Sequence, residues 1–200
     1  TERHIEINSP EGRAGKIRWQ LSGGHNLENA LAAVAAARRA GVVPDKAADS
    51  LARFEGVKRR MERTATIGDI AVYDDFAHHP TAIRRTIAAM KKRHPGKRIV
   101  VAIEPRSNTM KLGVHNDSLA ESLAHADLVW MYRPADMDAD FEHSLASLGE
   151  RLRIFADYDK LVSDMSQSIV SGDRVVFMSN GGFGGARQTL TAVLQRIRSG

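Results

Sequence analysis

The run Ile99-Val100-Val101-Ala102-Ile103 contains no polar residue. Side chains alternate across a strand, so such a run needs cover on both faces, as in a parallel sheet with helices on either side. Leu128 to Tyr132 and Arg174 to Met178 read as further strands, and helical patterns lie around them. Ile83, Ile87 and Met90 follow Pro80 at helical spacing; helices are expected near Asp117 to Ala124 and Asp159 to Val170; Leu190, Val193, Leu194 and Ile197 stripe a last one. Strands alternating with helices predict an α/β fold, a mostly parallel, doubly wound sheet flanked by helices.

The beginning of the chain differs. Ile5-Glu6-Ile7 and Lys16 to Leu21 alternate in polarity around Pro10, Gly12 and Gly15, which predicts a hairpin. From Asn26 the apolar positions Leu27, Leu31, Val34 and Ala35 take helical spacing until Gly41, and a shorter helix is expected from Asp45 to Phe54. A helical pattern ends at Gly56 to Glu62 and strand-like segments follow at Met61 to Ile67 and Ile70 to Tyr73, so a new domain is expected there. Pro134 to Asp140 reads as an exposed loop. With 200 residues and 42% hydrophobic content, the chain can bury the core of one domain, or of one domain plus a fragment. It opens on Thr1 without Met, as a processed product or a piece of something longer would.

Three polar turns carry the chemistry. Val72-Tyr73-Asp74-Asp75-Phe76-Ala77-His78-His79-Pro80-Thr81 joins a strand to a helix that Pro80 can open, since its N–H is dispensable there. Asp74 and Asp75 suit ribose hydroxyls, a cation, or nearby N–H groups; His78 and His79 suit phosphate contact, proton movement or helix capping. After the Ile99 to Ile103 strand comes Glu104-Pro105-Arg106-Ser107-Asn108-Thr109-Met110-Lys111, where Arg106 and Lys111 flank small hydroxyl and amide residues. That composition fits a carboxylate or phosphate, or an ordinary polar loop. After Met178, Ser179-Asn180-Gly181-Gly182-Phe183-Gly184-Gly185 precedes the last helix, and its backbone N–H groups can reach an anion. It is not the G-x-G-x-x-G pattern, because Arg187 stands where the third glycine belongs. In a doubly wound sheet all three turns fall along the carboxyl edge, where ligands bind. Ahead of them, Asn26 and Asn29 share one face of a helix's opening turn, as adenine readers or with Asn26 as a cap.

Composition removes other classes. No cysteine is present, which excludes disulfides and thiolate sites and fits a reducing cytosol. A formal charge of +5 favours anionic ligands, but no basic run is interleaved with aromatics, so nucleic acid is not expected as a partner. No apolar run is long enough to span a bilayer, so no membrane partner is expected. No G-x-x-x-x-G-K-[ST] loop occurs, so ATP hydrolysis unaided is not expected, and adjacent His78 and His79 lack the H-E-x-x-H spacing of a zinc hydrolase. No metal site and no catalytic group are assigned.

Gly24-His25-Asn26, Asn29-Ala30-Leu31-Ala32-Ala33, the Arg60 segment, DDFAHHPT at 74–81 and EPRSNTM at 104–110 together resemble the ATP-dependent Mur ligases. The resemblance runs over essentially the whole chain. Within the family these strings are similar to the branch that joins UDP-N-acetylmuramate to the tripeptide L-alanyl-γ-D-glutamyl-meso-diaminopimelate. The L-alanine branch shares the DD and HHPT elements but differs before the histidines and at the EPRSNTMK turn. The resemblance implies that residues 1–55 are the tail of a central ATPase domain and residues 56–200 a Rossmann-like C-terminal domain. The family's phosphate loop and its modified lysine would lie upstream, in the N-terminal and central domains, and a fragment without them is expected to be inactive and to bind no cofactor strongly. It implies a cytoplasmic ligase using ATP and Mg2+, in which a carboxylate becomes an acyl phosphate that the peptide's amine attacks. By the same resemblance His25, Asn26, Asn29, Arg60 and Asp75 would approach the nucleotide. His78, His79, Arg106, Ser107, Asn108, Thr109, Lys111, Ser179, Asn180 and Gly181 would line the substrate side.

Overall fold

The computed structural model describes residues 3–9, 12–19, 24–54, 56–106, 116–137 and 140–199. The chain forms two compact units, Thr1–Val57 and Lys58–Gly200.

In the first unit β1 (Arg3–Ser9) pairs antiparallel with β2 (Gly12–Trp19), and α1 (Gly24–Arg39) and α2 (Pro44–Ala52) follow. Its core is Ile7, Ile17, Ala30, Val34, Ala47 and Ala48. The expected stripe on α1 is corrected here: Leu27 and Leu31 are 46% and 57% exposed, and the small Ala30 with Val34 turns inward instead. Of the expected positions, Val34 alone is buried.

The second unit holds a six-stranded sheet. The elements after α2 are β3 (Glu62–Ile67), β4 (Ile70–Asp75), α3 (Pro80–Arg93), β5 (Ile99–Ile103), α4 (Asn116–Leu123), β6 (Leu128–Tyr132), α5 (Phe141–Ser144), a 3-10 turn (Ala146–Arg151), β7 (Leu152–Phe155), α6 (Tyr158–Ser168), β8 (Arg174–Met178) and α7 (Ala186–Ser199). The order across the sheet is β3-β4-β8-β5-β6-β7, with β3 antiparallel to β4 and the remaining pairs parallel. The apolar run of β5 divides as alternation demands. Ile99, Val101 and Ile103 pack with Ile83, Ile87 and Leu123 of α3 and α4, whereas Val100 and Ala102 pack with Leu161, Met165 and Leu190 of α6 and α7.

β4, α3 and β5 form a βαβ unit, and β8 lies between its two strands, parallel to both. Ile197, expected on the buried stripe of α7, is 61% exposed because the last turn of that helix runs past the core. The helices after β4 and β5 cover one face of the sheet and the helix after β8 covers the other. This reversal is a topological switch point, and it opens a crevice at the carboxyl end of β8.

The opposite edge is held by ion pairs. Arg98 reaches buried Asp173 through Nε and Nη2 at 2.9 and 2.7 Å, and Asp69 receives Lys97 at 2.7 Å and Arg174 at 3.0 Å. Among these cations sits His94, with Nε2 3.3 Å from the Tyr73 hydroxyl. Burial first, then Arg174, Arg93, Arg63 and Lys97, lowers its pKa from 6.5 to about 4. Between those values the unfolded chain binds a proton that the folded one refuses, so stability falls as pH drops from 6.5 to about 4. Urea unfolding across this window is expected to show that slope, and His94→Gln to flatten it.

Candidate functional site

β4 delivers two acids to its carboxyl end, and successive residues of a strand face opposite ways. Asp75 faces inward and is 4% exposed. Its Oδ1 accepts the Ala77 N–H at 2.8 Å and stands 3.5 Å from the Thr86 hydroxyl, while Oδ2 accepts the Met61 N–H at 2.8 Å. Burial raises its pKa, against the pull of these N–H groups. Of the roles open to it from sequence, satisfying nearby N–H groups is what this geometry displays. Ribose contact would have to use the remaining lone pairs of an almost fully enclosed carboxylate.

The segment that Asp75 grips is contorted. Arg59 and Met61 have φ of 58° and 53°, in the left-handed region that costs a side-chain-bearing residue roughly 1–2 kcal/mol. Their neighbours hold them: the Arg59 N–H donates to Glu62 Oε2 at 2.9 Å, and its carbonyl accepts the Phe76 N–H at 2.7 Å. As a result Arg59 and Arg60 both lie over the Phe76 ring, at 5.4 and 5.2 Å. Arg60 is exposed there.

The two histidines are held in opposite tautomers. His78 Nδ1 lies 2.9 Å from the Phe76 carbonyl, which can only accept, so that nitrogen carries the proton. His79 Nδ1 instead accepts the Thr81 N–H at 3.3 Å and caps α3 ahead of Pro80. Loss of this cap in His79→Ala is expected to cost about 1 kcal/mol, read as a lower urea midpoint, and His79→Asn to restore most of it.

Asp74 faces the crevice. Its Oδ2 lies 3.5 Å from Arg59 Nε and 3.5 Å from Arg187 Nη2. These three, with Ser179, Gly181 and Gly182, line a cavity of about 220 Å³. Two guanidinium groups against one carboxylate leave a net positive lining, suited to an anion. The expected backbone anion site is corrected in part: the Gly181 N–H is taken by Ser179 Oγ at 2.8 Å and the Gly185 N–H by the Gly182 carbonyl at 3.1 Å. The positive character comes from side chains instead, including the arginine that replaces the fingerprint glycine.

The structure brings the three turns together. Ser179 N–H donates to the Asp75 carbonyl at 3.1 Å, and Arg59 Nη2 donates to the Ser179 carbonyl at 2.7 Å and to the Gly181 carbonyl. Arg106 lies on Gly181 so closely that a Cβ there would meet its Nη1 at 2.6 Å. Asn180 Oδ1 is buried without a donor among the described residues. Ser107, Asn108, Thr109 and Lys111 lie outside the described residues. His25, Asn26 and Asn29 belong to the first unit; α1 starts at Gly24, so Asn26 is inside its first turn rather than a cap, half-buried, with Asn29 exposed.

Sequence reasoning missed Arg59, Arg187, Glu104 and Tyr158. Glu104, 3% exposed, accepts the hydroxyls of Tyr158 and Ser179 on its two oxygens. An acid at the very end of an apolar strand was the available signal for Glu104; nothing local marks Tyr158. Among the described residues no helix is long and apolar enough to cross a membrane.

The doubly wound sheet with its crevice defines a known class of domain. Residues 59–181 match the family model described as Mur ligase, glutamate ligase domain, and the chain belongs to the Mur ligase family, with the second unit as its C-terminal domain. The chain is 42% identical over 179 residues to the UDP-N-acetylmuramate–L-alanyl-γ-D-glutamyl-meso-2,6-diaminoheptandioate ligase of Escherichia coli, covering 89% of this chain and 39% of that protein. A crystal structure of a murein peptide ligase from Psychrobacter arcticus superposes with a TM-score of 0.73 and 38% identity, over 96% of this chain and 42% of that one. The UDP-N-acetylmuramate–L-alanine ligase of Roseiflexus is 42% identical over 117 residues, 58% of this chain and 24% of that protein. The chain thus spans about two fifths of the length of the tripeptide ligases it matches.

Proposed function

We propose that the chain is the C-terminal part of a murein peptide ligase, an ATP-dependent enzyme that joins UDP-N-acetylmuramate to L-alanyl-γ-D-glutamyl-meso-diaminopimelate in peptidoglycan recycling. The observation that carries this reading is the identity over nearly the whole chain: 42% over 89% of it with the tripeptide ligase, against 30% over 90% with an L-alanine ligase. In this reading the sugar's carboxylate takes the γ-phosphoryl group of ATP, releasing ADP. The peptide's free amine then attacks the acyl phosphate, and phosphate leaves as the amide forms. Residues 1–55 belong to the tail of the central ATPase domain and 56–200 to the C-terminal domain, so the chain alone does not turn over, and the enzyme works in the cytoplasm.

The second unit supplies position and charge rather than a nucleophile. Exposed Arg60, braced on Phe76, fits a nucleotide phosphate, and His25, Asn26 and Asn29 contribute the nucleotide contacts of the first unit. Asp75 contributes by holding the Arg59–Met61 segment in shape and, through its remaining lone pairs, by meeting ribose. By the resemblance, Arg106, Ser179, Asn180 and Gly181, together with Ser107, Asn108, Thr109, Lys111, His78 and His79, are assigned to the peptide substrate. The family's ATP is used with Mg2+, which bridges the nucleotide's phosphates.

The test is made on the protein extended to the length of its relatives. With ATP and UDP-N-acetylmuramate, mass spectrometry is expected to detect the tripeptide adduct at a rate at least tenfold above the L-alanine adduct. The reverse preference would transfer the assignment to the L-alanine ligases, and no adduct with either would end it.

A further inference from the structure

We propose that Tyr158 and Glu104 are positioning residues that set the shape of the Ser179–Gly181 turn for the incoming peptide; the peptide part of this inference rests on the reading above. Ser179 is the hub of the turn. Its N–H goes to the Asp75 carbonyl and its own carbonyl is held by Arg59. Its hydroxyl has a single proton to give, and gives it to Glu104 Oε2; that direction leaves a lone pair to accept the Gly181 N–H at 2.8 Å. A hydroxyl without the Glu104 acceptor would rotate, and the Gly181 N–H would lose its partner's aim.

Glu104 is in turn aimed by Tyr158. The phenol donates to Oε1, and burial first, with the Glu104 carboxyl second, holds it well above the ordinary tyrosine range, so it stays a donor. Tyr158 is the first residue of α6, behind Asp157, whose Oδ1 accepts the Lys160 N–H at 2.8 Å and fixes the helix start. Its ring is stacked on Tyr132 with centroids 3.9 Å apart and planes 10° from parallel. The ring also meets Gly184, where a Cβ would come within 2.5 Å of it. One side chain thus supports the glycine turn with its body and orients Glu104, and through it Ser179, with its tip. A turn held this way is ordered before ligand arrives, and the gain appears in peptide binding.

Tyr158→Phe keeps the ring and removes the tip. In the 15N-labelled 200-residue chain the Gly181 amide is expected to exchange with solvent about 3- to 10-fold faster, while Val100 to Ala102 of β5 exchange as before. In the full-length ligase the tripeptide KM is expected to rise about 3- to 10-fold and the ATP KM to move less than twofold. Glu104→Gln should reproduce both effects, and the double variant should be no worse than either single one, since they break one chain of contacts. Unchanged Gly181 exchange in Tyr158→Phe would overturn the positioning role. Faster Gly181 exchange with an unchanged tripeptide KM would overturn its link to the peptide. If the wild-type ligase makes no tripeptide adduct, the functional reading has failed, and the exchange measurement still decides the positioning role by itself.

Discussion

Asp75→Ala is expected to destabilise the second unit by about 2–5 kcal/mol. The substitution leaves the buried Ala77 N–H and the part-buried Met61 N–H without acceptors, and each such loss costs about 1–3 kcal/mol. Met61 is also left in a left-handed conformation with its main tether gone. Asp75→Asn keeps one acceptor oxygen but sets an NH2 group against one of the two donors, so roughly half the loss is expected. Urea unfolding of the 200-residue chain at neutral pH, followed by circular dichroism, measures both. A midpoint within error of wild type for Asp75→Ala would show that the turn has another anchor.

Gly184→Ala is the second large effect, expected at about 2–4 kcal/mol. Gly184 has a φ of 55°, where a side chain costs about 1 kcal/mol or more, and the new methyl would stand 2.5 Å from the Tyr158 ring. That ring cannot simply swing aside, because Tyr132 is stacked on it and Glu104 accepts its hydroxyl. Gly182→Ala provides the contrast within the same turn: its φ is −87° and a Cβ there would meet nothing within 4 Å. Thermal denaturation is expected to separate the two variants clearly, with Gly182→Ala close to wild type.

Strands β4, β5, β6 and β8 were legible because each carries an apolar run that solvent would punish. β7 was not: Leu152-Arg153-Ile154-Phe155 lies at the sheet edge, and Arg153 reaches Asp164 at 2.6 Å from a partly exposed position. The stripe positions Leu27, Leu31 and Ile197 misled, since spacing alone does not say which side of a helix has something to pack on. At the site, the three turns and their meeting at one sheet edge followed from the strand and helix pattern. Which of two adjacent acids faces the cavity did not, because it depends on which face of β4 lies under α7. Glu104 and Tyr158 are 54 residues apart, and no local signal joins them. Arg187 was noticed as the reason a nucleotide fingerprint fails, and its real partner, Asp74, came only with the fold.

The central place of β8 has a consequence for how the molecule is made. β4 and β5 share no hydrogen bonds with each other, and the strand that joins them is the last of the sheet to leave the ribosome. Until Arg174–Met178 has been synthesised, two apolar strands wait with open edges, and the crevice does not exist even though most of its residues do. Nascent chains halted before residue 174 should therefore depend on chaperones and be readily cleaved by proteases. Adding the final strand and α7 should close the sheet and assemble the binding crevice in a single late step.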